Sequence, residues 1–155
     1  MKIAIGSDKS GYRLYSVIKE YLQQNNYEVL DYGPPAEEKG EPYFQVAAKV
    51  APLVAVGQAD KAVLICGTGM GMAIVSNKFK GVYAAVVEDV YSAKMCKVIN
   101  NANILTMGGW IVGPNKALEM VKVWLNTEFT EGFPADRQTF LKNGYAHVQE
   151  IEKNN

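Results

Sequence analysis

A cysteine followed at once by a glycine-rich turn is the feature of this sequence best suited to chemistry. Cys66 ends an apolar, β-branched run and leads into segment 67–71 (GTGMG), after which apolar residues recur with a helical period. A thiol at a helix start has its thiolate favoured by the first-turn amides and the helix dipole, and glycines let those amides approach a ligand. The pattern predicts a nucleophile or base beside an anion hole. A buried cysteine that acts only as a small apolar side chain is the alternative.

Other polar residues offer weaker signals. Asp8 and Lys9 follow the first strand-like run and precede a helix, where a carboxylate and an ammonium could hold a sugar hydroxyl and a phosphate, or Asp8 could simply cap the helix. By default, Asn100 belongs to a polar helix end and Arg137 is a surface charge. The single histidine, His147, falls in the C-terminal segment, so neither a zinc site nor a histidine-based triad is expected.

The elements that must position these residues follow an alternating pattern. Five apolar strand-like runs occur at Lys2–Gly6, Tyr27–Tyr32, Lys61–Cys66, Val82–Val87 and Asn103–Met107. Stretches of helical character occur at Gly11–Asn25, Tyr43–Val56, Gly69–Lys78, Asp89–Asn100 and Pro114–Glu128. The alternation predicts an α/β fold with a parallel sheet, and Pro52 is expected to kink or restart the second helix. Because ligands bind at the carboxyl ends of such strands, the loops at Asp8, Cys66, Glu88 and Gly108 should meet at one site.

Composition limits the partners and the compartment. The 155 residues fit one domain, 1–155, and 16 basic residues balance 16 acidic ones, so no strong field is present to hold nucleic acid or an anionic membrane. Two cysteines give no disulfide framework, and no apolar run approaches membrane-spanning length. We therefore expect a cytoplasmic protein with a small-molecule partner. The polar, helix-prone tail at 132–155 is expected to pack on a neighbouring subunit.

Five segments together carry a family resemblance. MKIAIGSD, ICGTGMGMAIVSNK, EDVYSAKM, NNANILTMGG and WLNTEF resemble the family of ribose-5-phosphate isomerase B and galactose-6-phosphate isomerase over nearly all of residues 1–130. The resemblance implies a three-layer α/β/α sandwich with a five-stranded parallel sheet. It also implies a homodimer or homotetramer with the active site between subunits, and aldose–ketose isomerisation of a sugar phosphate through a cis-enediolate without metal or cofactor.

The resemblance also assigns roles residue by residue. It makes Cys66 the base and Thr68 its partner for the second proton or a hydroxyl. It places the anion hole at the amides of Gly67, Gly69 and Gly71. The remaining substrate-binding positions that it implies are Asp8, Lys9, Tyr43, Asn100 and Arg137.

The departures from the family pattern concern the sugar. Ile99 stands where ribose-5-phosphate isomerases carry the histidine that opens the furanose ring, while Lys9 replaces a histidine and Trp110 and Phe133 replace arginines. An acyclic four-carbon aldose phosphorylated at O4 needs no ring-opening acid, which would explain Ile99. Three alternatives stay open: a galactose-6-phosphate isomerase subunit, a non-catalytic sugar-phosphate-binding subunit that needs a paralogous partner, and, by fold analogy alone, a nucleotide-binding domain.

Overall fold

Five parallel strands form one sheet in the computed structural model, which describes residues 1–154. The strands are β1 (Lys2–Ser7), β2 (Glu28–Tyr32), β3 (Lys61–Cys66), β4 (Ala84–Val86) and β5 (Ile104–Gly108). Their order across the sheet is β2-β1-β3-β5-β4, and every neighbouring pair is parallel. Every residue of β3 and β5 is buried, as in strands covered on both faces. The predicted α/β fold with a five-stranded parallel sheet is confirmed.

Six α-helices occur within residues 1–154, and the first five cover the two faces of this sheet. They are α1 (Tyr12–Gln24), α2 (Tyr43–Ala55), α3 (Met70–Ser76), α4 (Val90–Asn100), α5 (Pro114–Leu125) and α6 (Ala135–Lys153). One core cluster joins α1, α4 and α5 to the sheet around Ile18 and Trp124, and a second joins α2 and α3 to the opposite face around Val50 and Met72. Within residues 1–154, none of the helices has the length and apolarity needed to cross a membrane.

The second helix does not restart at Pro52. Helix α2 continues through Pro52 to Ala55, and the backbone N–H of Val56 donates to the Pro52 carbonyl at 3.1 Å. Pro52 has no N–H for the carbonyl four residues earlier, that of Ala48. Because Ala48 is exposed, water can reach that carbonyl, and the helix needs only a few more residues before it ends. The proline is therefore tolerated in the last turn.

The long C-terminal helix contacts the rest of the same chain mainly at one end of the sheet. Leu141 is buried, and the Glu152 carboxylate accepts hydrogen bonds from the Gly81 N–H at 2.8 Å and the Tyr83 hydroxyl at 3.2 Å. The Tyr145 ring lies edge-on to Tyr83, with centroids 5.1 Å apart. Much of the remaining apolar surface of α6 stays exposed.

The order of the strands positions the functional loops. From β1 the chain crosses to β2 on one side, whereas β3 and β5 lie on the other side of β1. In open parallel sheets a crevice forms where the crossovers diverge, outside the carboxyl ends of the strands. Asp8 follows β1 and Cys66 ends β3, and the two loops are tied together because the Asp8 N–H donates to the Ile65 carbonyl at 3.2 Å.

Candidate active site

A cavity of about 380 Å³ opens at the carboxyl ends of β1 and β3. Its lining residues are Asp8, Ser10, Tyr43, Cys66, Gly67, Thr68, Gly71, Ile74 and Trp110. The structure thus brings together the candidate base, its hydroxyl neighbour and several of the substrate-binding residues expected from the sequence. Two lining residues, Ser10 and Ile74, were not expected, because their types alone carry no chemical signal.

The Cys66 sulfur is buried and held by the glycine turn. Only 4% of Cys66 is exposed, and the Gly69 N–H donates to its Sγ at 3.1 Å. Gly69 has φ +78°, and a Cβ there would lie 2.8 Å from the Met107 backbone, so this turn requires glycine. The Gly69 amide therefore faces the sulfur and fixes its position. It is one of the three amides, with those of Gly67 and Gly71, that the family resemblance assigns to the ligand.

Asp8 both caps a helical turn and lines the cavity. Its Oδ1 accepts hydrogen bonds from the backbone N–H groups of Ser10 and Gly11, at 2.9 and 3.1 Å. Burial raises the pKa of the Asp8 carboxyl, although those two amides and the nearby Lys9 ammonium oppose the increase. The capping and ligand-binding interpretations of Asp8 are thus compatible, because Oδ1 serves the cap while the residue still borders the cavity.

Tyr43 lies directly against the glycine turn. A Cβ added to Gly71 would come within 2.4 Å of the Tyr43 ring, so this glycine makes room for the aromatic side chain. Phe44 meets the same ring edge-on, with centroids 5.4 Å apart. Tyr43 stays 40% exposed, so the residue is accessible to a ligand from the side of the solvent.

Trp110 separates this cavity from a second one. Its indole ring covers Gly67, since a Cβ on Gly67 would lie 2.7 Å from the ring. The backbone N–H of Trp110 also donates to the Gly67 carbonyl at 3.0 Å. The neighbouring cavity, of about 390 Å³, is lined by Lys9, Ser10, Glu37, Glu38 and Trp110. Sequence reasoning missed Glu37 and Glu38, and the only available signal was their place in the loop that follows β2.

Three other expectations are not met within one chain. Asn100 lines a separate, largely apolar cavity of about 500 Å³ together with Ile99 and residues of α6. The Arg137 guanidinium lies over the rings of Phe140 and Phe133, 4.8 and 5.9 Å from their centroids, and lines neither cavity described above. The loop at Glu88 also lies outside the cavity of Cys66; its neighbour Asp89 instead caps α4.

Metal-binding residues do not gather anywhere in residues 1–154. No group of three or more histidine, cysteine, aspartate or glutamate side chains is placed to hold a metal ion there. His147 is exposed on α6, with its Nδ1 3.5 Å from the Glu150 carboxylate. Both cysteines are free thiols. The cavity around Cys66 thus contains one thiol, two hydroxyls, one carboxylate, one phenol and glycine amides, a set that can move a proton and bind oxygen.

Comparisons with known proteins agree with this geometry. The model of a family described as Ribose/Galactose Isomerase matches residues 3–140. A 4-deoxy-4-sulfo-D-erythrose isomerase of Clostridium sp. (strain MSTE9) is 49% identical over 99% of this chain and 96% of that protein. A D-erythrulose-4-phosphate isomerase of Pectobacterium atrosepticum is 37% identical over 97% of each chain. The solved ribose-5-phosphate isomerase B of Clostridium thermocellum superposes with a TM-score of 0.88 at 40% identity, covering 99% of each chain.

Proposed function

The chain belongs to the ribose/galactose isomerase family, and from that starting point we propose that it interconverts an acyclic four-carbon aldose and ketose with an anionic group at C4. Membership makes the protein an aldose–ketose isomerase. The proposal adds the length of the sugar, the residues that move the proton and the assembly of the site. The observation that carries the sugar length is Ile99.

Ile99 cannot protonate or deprotonate a ring oxygen. A five-carbon aldose 5-phosphate closes a furanose ring through its free O4 and must be opened before its C2 proton becomes acidic. A four-carbon aldose whose C4 carries the anionic group has no free hydroxyl able to form a five-membered ring. An isoleucine at this position therefore does not slow the turnover of such a substrate. Two relatives act, by their names, on four-carbon sugars of this kind.

Cys66 is the proposed base. Its thiolate removes the proton from C2 of the aldose, which leaves a cis-enediolate, and the resulting thiol returns that proton to C1 to give the ketose. The Gly69 N–H, 3.1 Å from the sulfur, holds it at the carboxyl end of β3. The Thr68 hydroxyl, on the same cavity wall, is proposed to move the second proton between O1 and O2. The amides of Gly67 and Gly71 are the proposed donors to the enediolate oxygen, whose charge needs preorganised partners.

A second subunit is proposed to complete the site. Asn100 and Arg137 lie outside the cavity of their own chain, and the Arg137 side chain is exposed on α6. Phe140, Val148 and Ile151 on the same helix are also exposed, at 63%, 46% and 51%. A symmetric dimer that buries this helix would bring Asn100 and Arg137 of one chain to the cavity of the other. The tail at 132–155 is thus proposed as an interface element of a homodimer or homotetramer.

The test is an aldose–ketose assay of the purified chain alone, across sugar phosphates of four, five and six carbons. We expect turnover of D-erythrose 4-phosphate and at least a hundredfold lower kcat/KM for ribose 5-phosphate, because general acid catalysis of ring opening contributes about that much. Galactose 6-phosphate should be inert. Efficient turnover of ribose 5-phosphate would refute the sugar length. Activity that appears only after a paralogous chain is added would refute the proposed homo-oligomeric site.

A further inference from the structure

We propose that Trp110 is a specificity-determining residue that selects a monoanionic C4 sulfonate over a dianionic C4 phosphate. The inference rests on the proposed function and refines its terminal group. It depends on which part of the substrate lies in each of the two neighbouring cavities. It also depends on the charged side chains around the anionic group.

The reacting end of the substrate is fixed by Cys66. With C1 and C2 beside this sulfur, the rest of a four-carbon chain must leave the cavity past its remaining wall. Ser10 and Trp110 line both that cavity and the adjacent one, so they form the passage between the two. Lys9 lies in the adjacent cavity and is the only cationic side chain that lines either of them among residues 1–154. The anionic group therefore lies beside Trp110 and Lys9.

The charge at this place suits one negative charge better than two. Glu37 and Glu38 line the same cavity as Lys9, and Gly40 fixes their loop, because a Cβ there would lie 2.4 Å from the Lys9 backbone nitrogen. A phosphate monoester carries about −1.5 to −2 charges at pH 7, whereas a sulfonate carries one. One ammonium can pair with a sulfonate. The second charge of a phosphate would face two carboxylates, and Arg137 from a second subunit would balance only one of them.

The indole of Trp110 offers a sulfonate an apolar surface and one hydrogen-bond donor. Its apolar face packs against the C4 methylene, and its Nε1–H donates a single hydrogen bond, but it brings no positive charge. The ring packs over Gly67, and the backbone N–H of Trp110 donates to the Gly67 carbonyl, which fixes the backbone from which the ring projects. A sulfonate bonded directly to C4 also lacks the bridging ester oxygen, so its anion lies one atom closer to C4.

The experiment compares kcat/KM for 4-deoxy-4-sulfo-D-erythrose and D-erythrose 4-phosphate in the wild type and in variants. We expect the wild type to favour the sulfonate by about tenfold or more, the loss expected for one mismatched charge at a partly exposed site. Trp110→Arg should lower that preference at least tenfold by adding a cation where the ring lies. Trp110→Phe should keep the preference, because the wall stays apolar.

Two controls separate this effect from a general change in charge or fold. Val56→Arg adds the same charge at a 68%-exposed position beyond α2, away from both cavities, and should leave the preference unchanged. Lowering the pH from about 7.5 to about 5.5 removes most of the second phosphate charge, whose pKa is about 6, and should shrink the wild-type preference. The ratio of the two substrates cancels any titration of the base.

The outcomes distinguish this inference from the function on which it rests. If the wild type turns over both substrates equally, or if Trp110→Arg scales both rates alike, Trp110 does not select the anion, although the four-carbon function stands. If neither four-carbon substrate reacts, the proposed function fails and the inference with it.

Discussion

The backbone N–H of Gly69 lies 3.1 Å from the sulfur of Cys66 and donates to it. This contact joins the left-handed glycine of the turn to the proposed base, and it fixes the sulfur at the carboxyl end of the central strand. The glycine turn therefore acts on the base itself as well as on the ligand.

Replacing Cys66 should abolish isomerisation without unfolding the protein. Cys66→Ala removes the proposed base, and we expect kcat to fall by about 10³-fold or more, within the range for a positioned general base. Cys96→Ala is the matched control, because Cys96 is also buried and free but lies on α4. Initial rates and thermal unfolding check both variants. Unchanged turnover in Cys66→Ala would exclude Cys66 as the base.

Enlarging Gly71 should displace Tyr43. In Gly71→Ala the new methyl would come within 2.4 Å of the Tyr43 ring, which can move because it is 40% exposed. We expect kcat/KM to fall by about ten- to a hundredfold, as when a binding group shifts by about 1 Å, with little change in stability. The control is Gly113→Ala, where a Cβ meets nothing within 4 Å. Steady-state kinetics equal to wild type in Gly71→Ala would show that the position of Tyr43 is unimportant.

Mixing two inactive variants should restore activity if the site spans two subunits. Cys66→Ala and Asn100→Ala damage different halves of each proposed site. A dimer with one of each variant contains one wholly intact site and one doubly damaged site. Random mixing in a symmetric dimer should therefore recover about a quarter of the wild-type rate. Co-expression followed by assay measures this recovery. A mixture as inactive as its parents would mean that Asn100 serves the Cys66 of its own chain, and an active Asn100→Ala parent would place Asn100 outside the site.

Lys61 should make the stability of the fold increase with pH. Burial, and then the neighbouring Lys97 ammonium, lower the pKa of Lys61 from 10.5 to about 8, while Glu128 and Asp60 oppose the change. Just above pH 8 the unfolded chain holds this proton and the folded chain releases it, so the free energy of unfolding rises with pH.

The contribution of Lys61 to the pH dependence of stability is best measured between pH 8 and 9. Burial raises the pKa of Cys96 from 9.0 to about 11. From about pH 9 upward the unfolded chain therefore releases this thiol proton while the folded chain keeps it, and the free energy of unfolding falls with pH. Between pH 8 and 9 we expect the wild type to gain about 1 kcal/mol in urea unfolding. Lys61→Met should lose most of that gain and be more stable than wild type near neutral pH. Lys78→Met, at an exposed position, should keep the gain. A flat wild-type profile would contradict the prediction.

The sequence was most informative where one pattern determined both an element and a site. The run that ends at Cys66, followed by the glycine turn, predicted the central strand, the helix start and the cavity together. The loop with Glu37 and Glu38 could not be predicted, because its conformation follows no period and depends on how Gly40 packs against Lys9. Asn100 and Arg137 illustrate a different limit: within residues 1–154, the cavity that contains Cys66 is lined by neither of them.

Trp110 differs from the nearby glycines Gly69 and Gly108 in how easily it can be substituted. A side chain at Gly69 or Gly108 would meet backbone atoms within 2.8 Å, whereas Trp110 is 76% exposed and Lys9 is also at the surface. Mutations that survive in this scaffold will therefore accumulate at the rim that holds the tail of the sugar, while the floor that handles the proton stays fixed. Substitutions in this fold can therefore change the preferred substrate more easily than they can change the reaction.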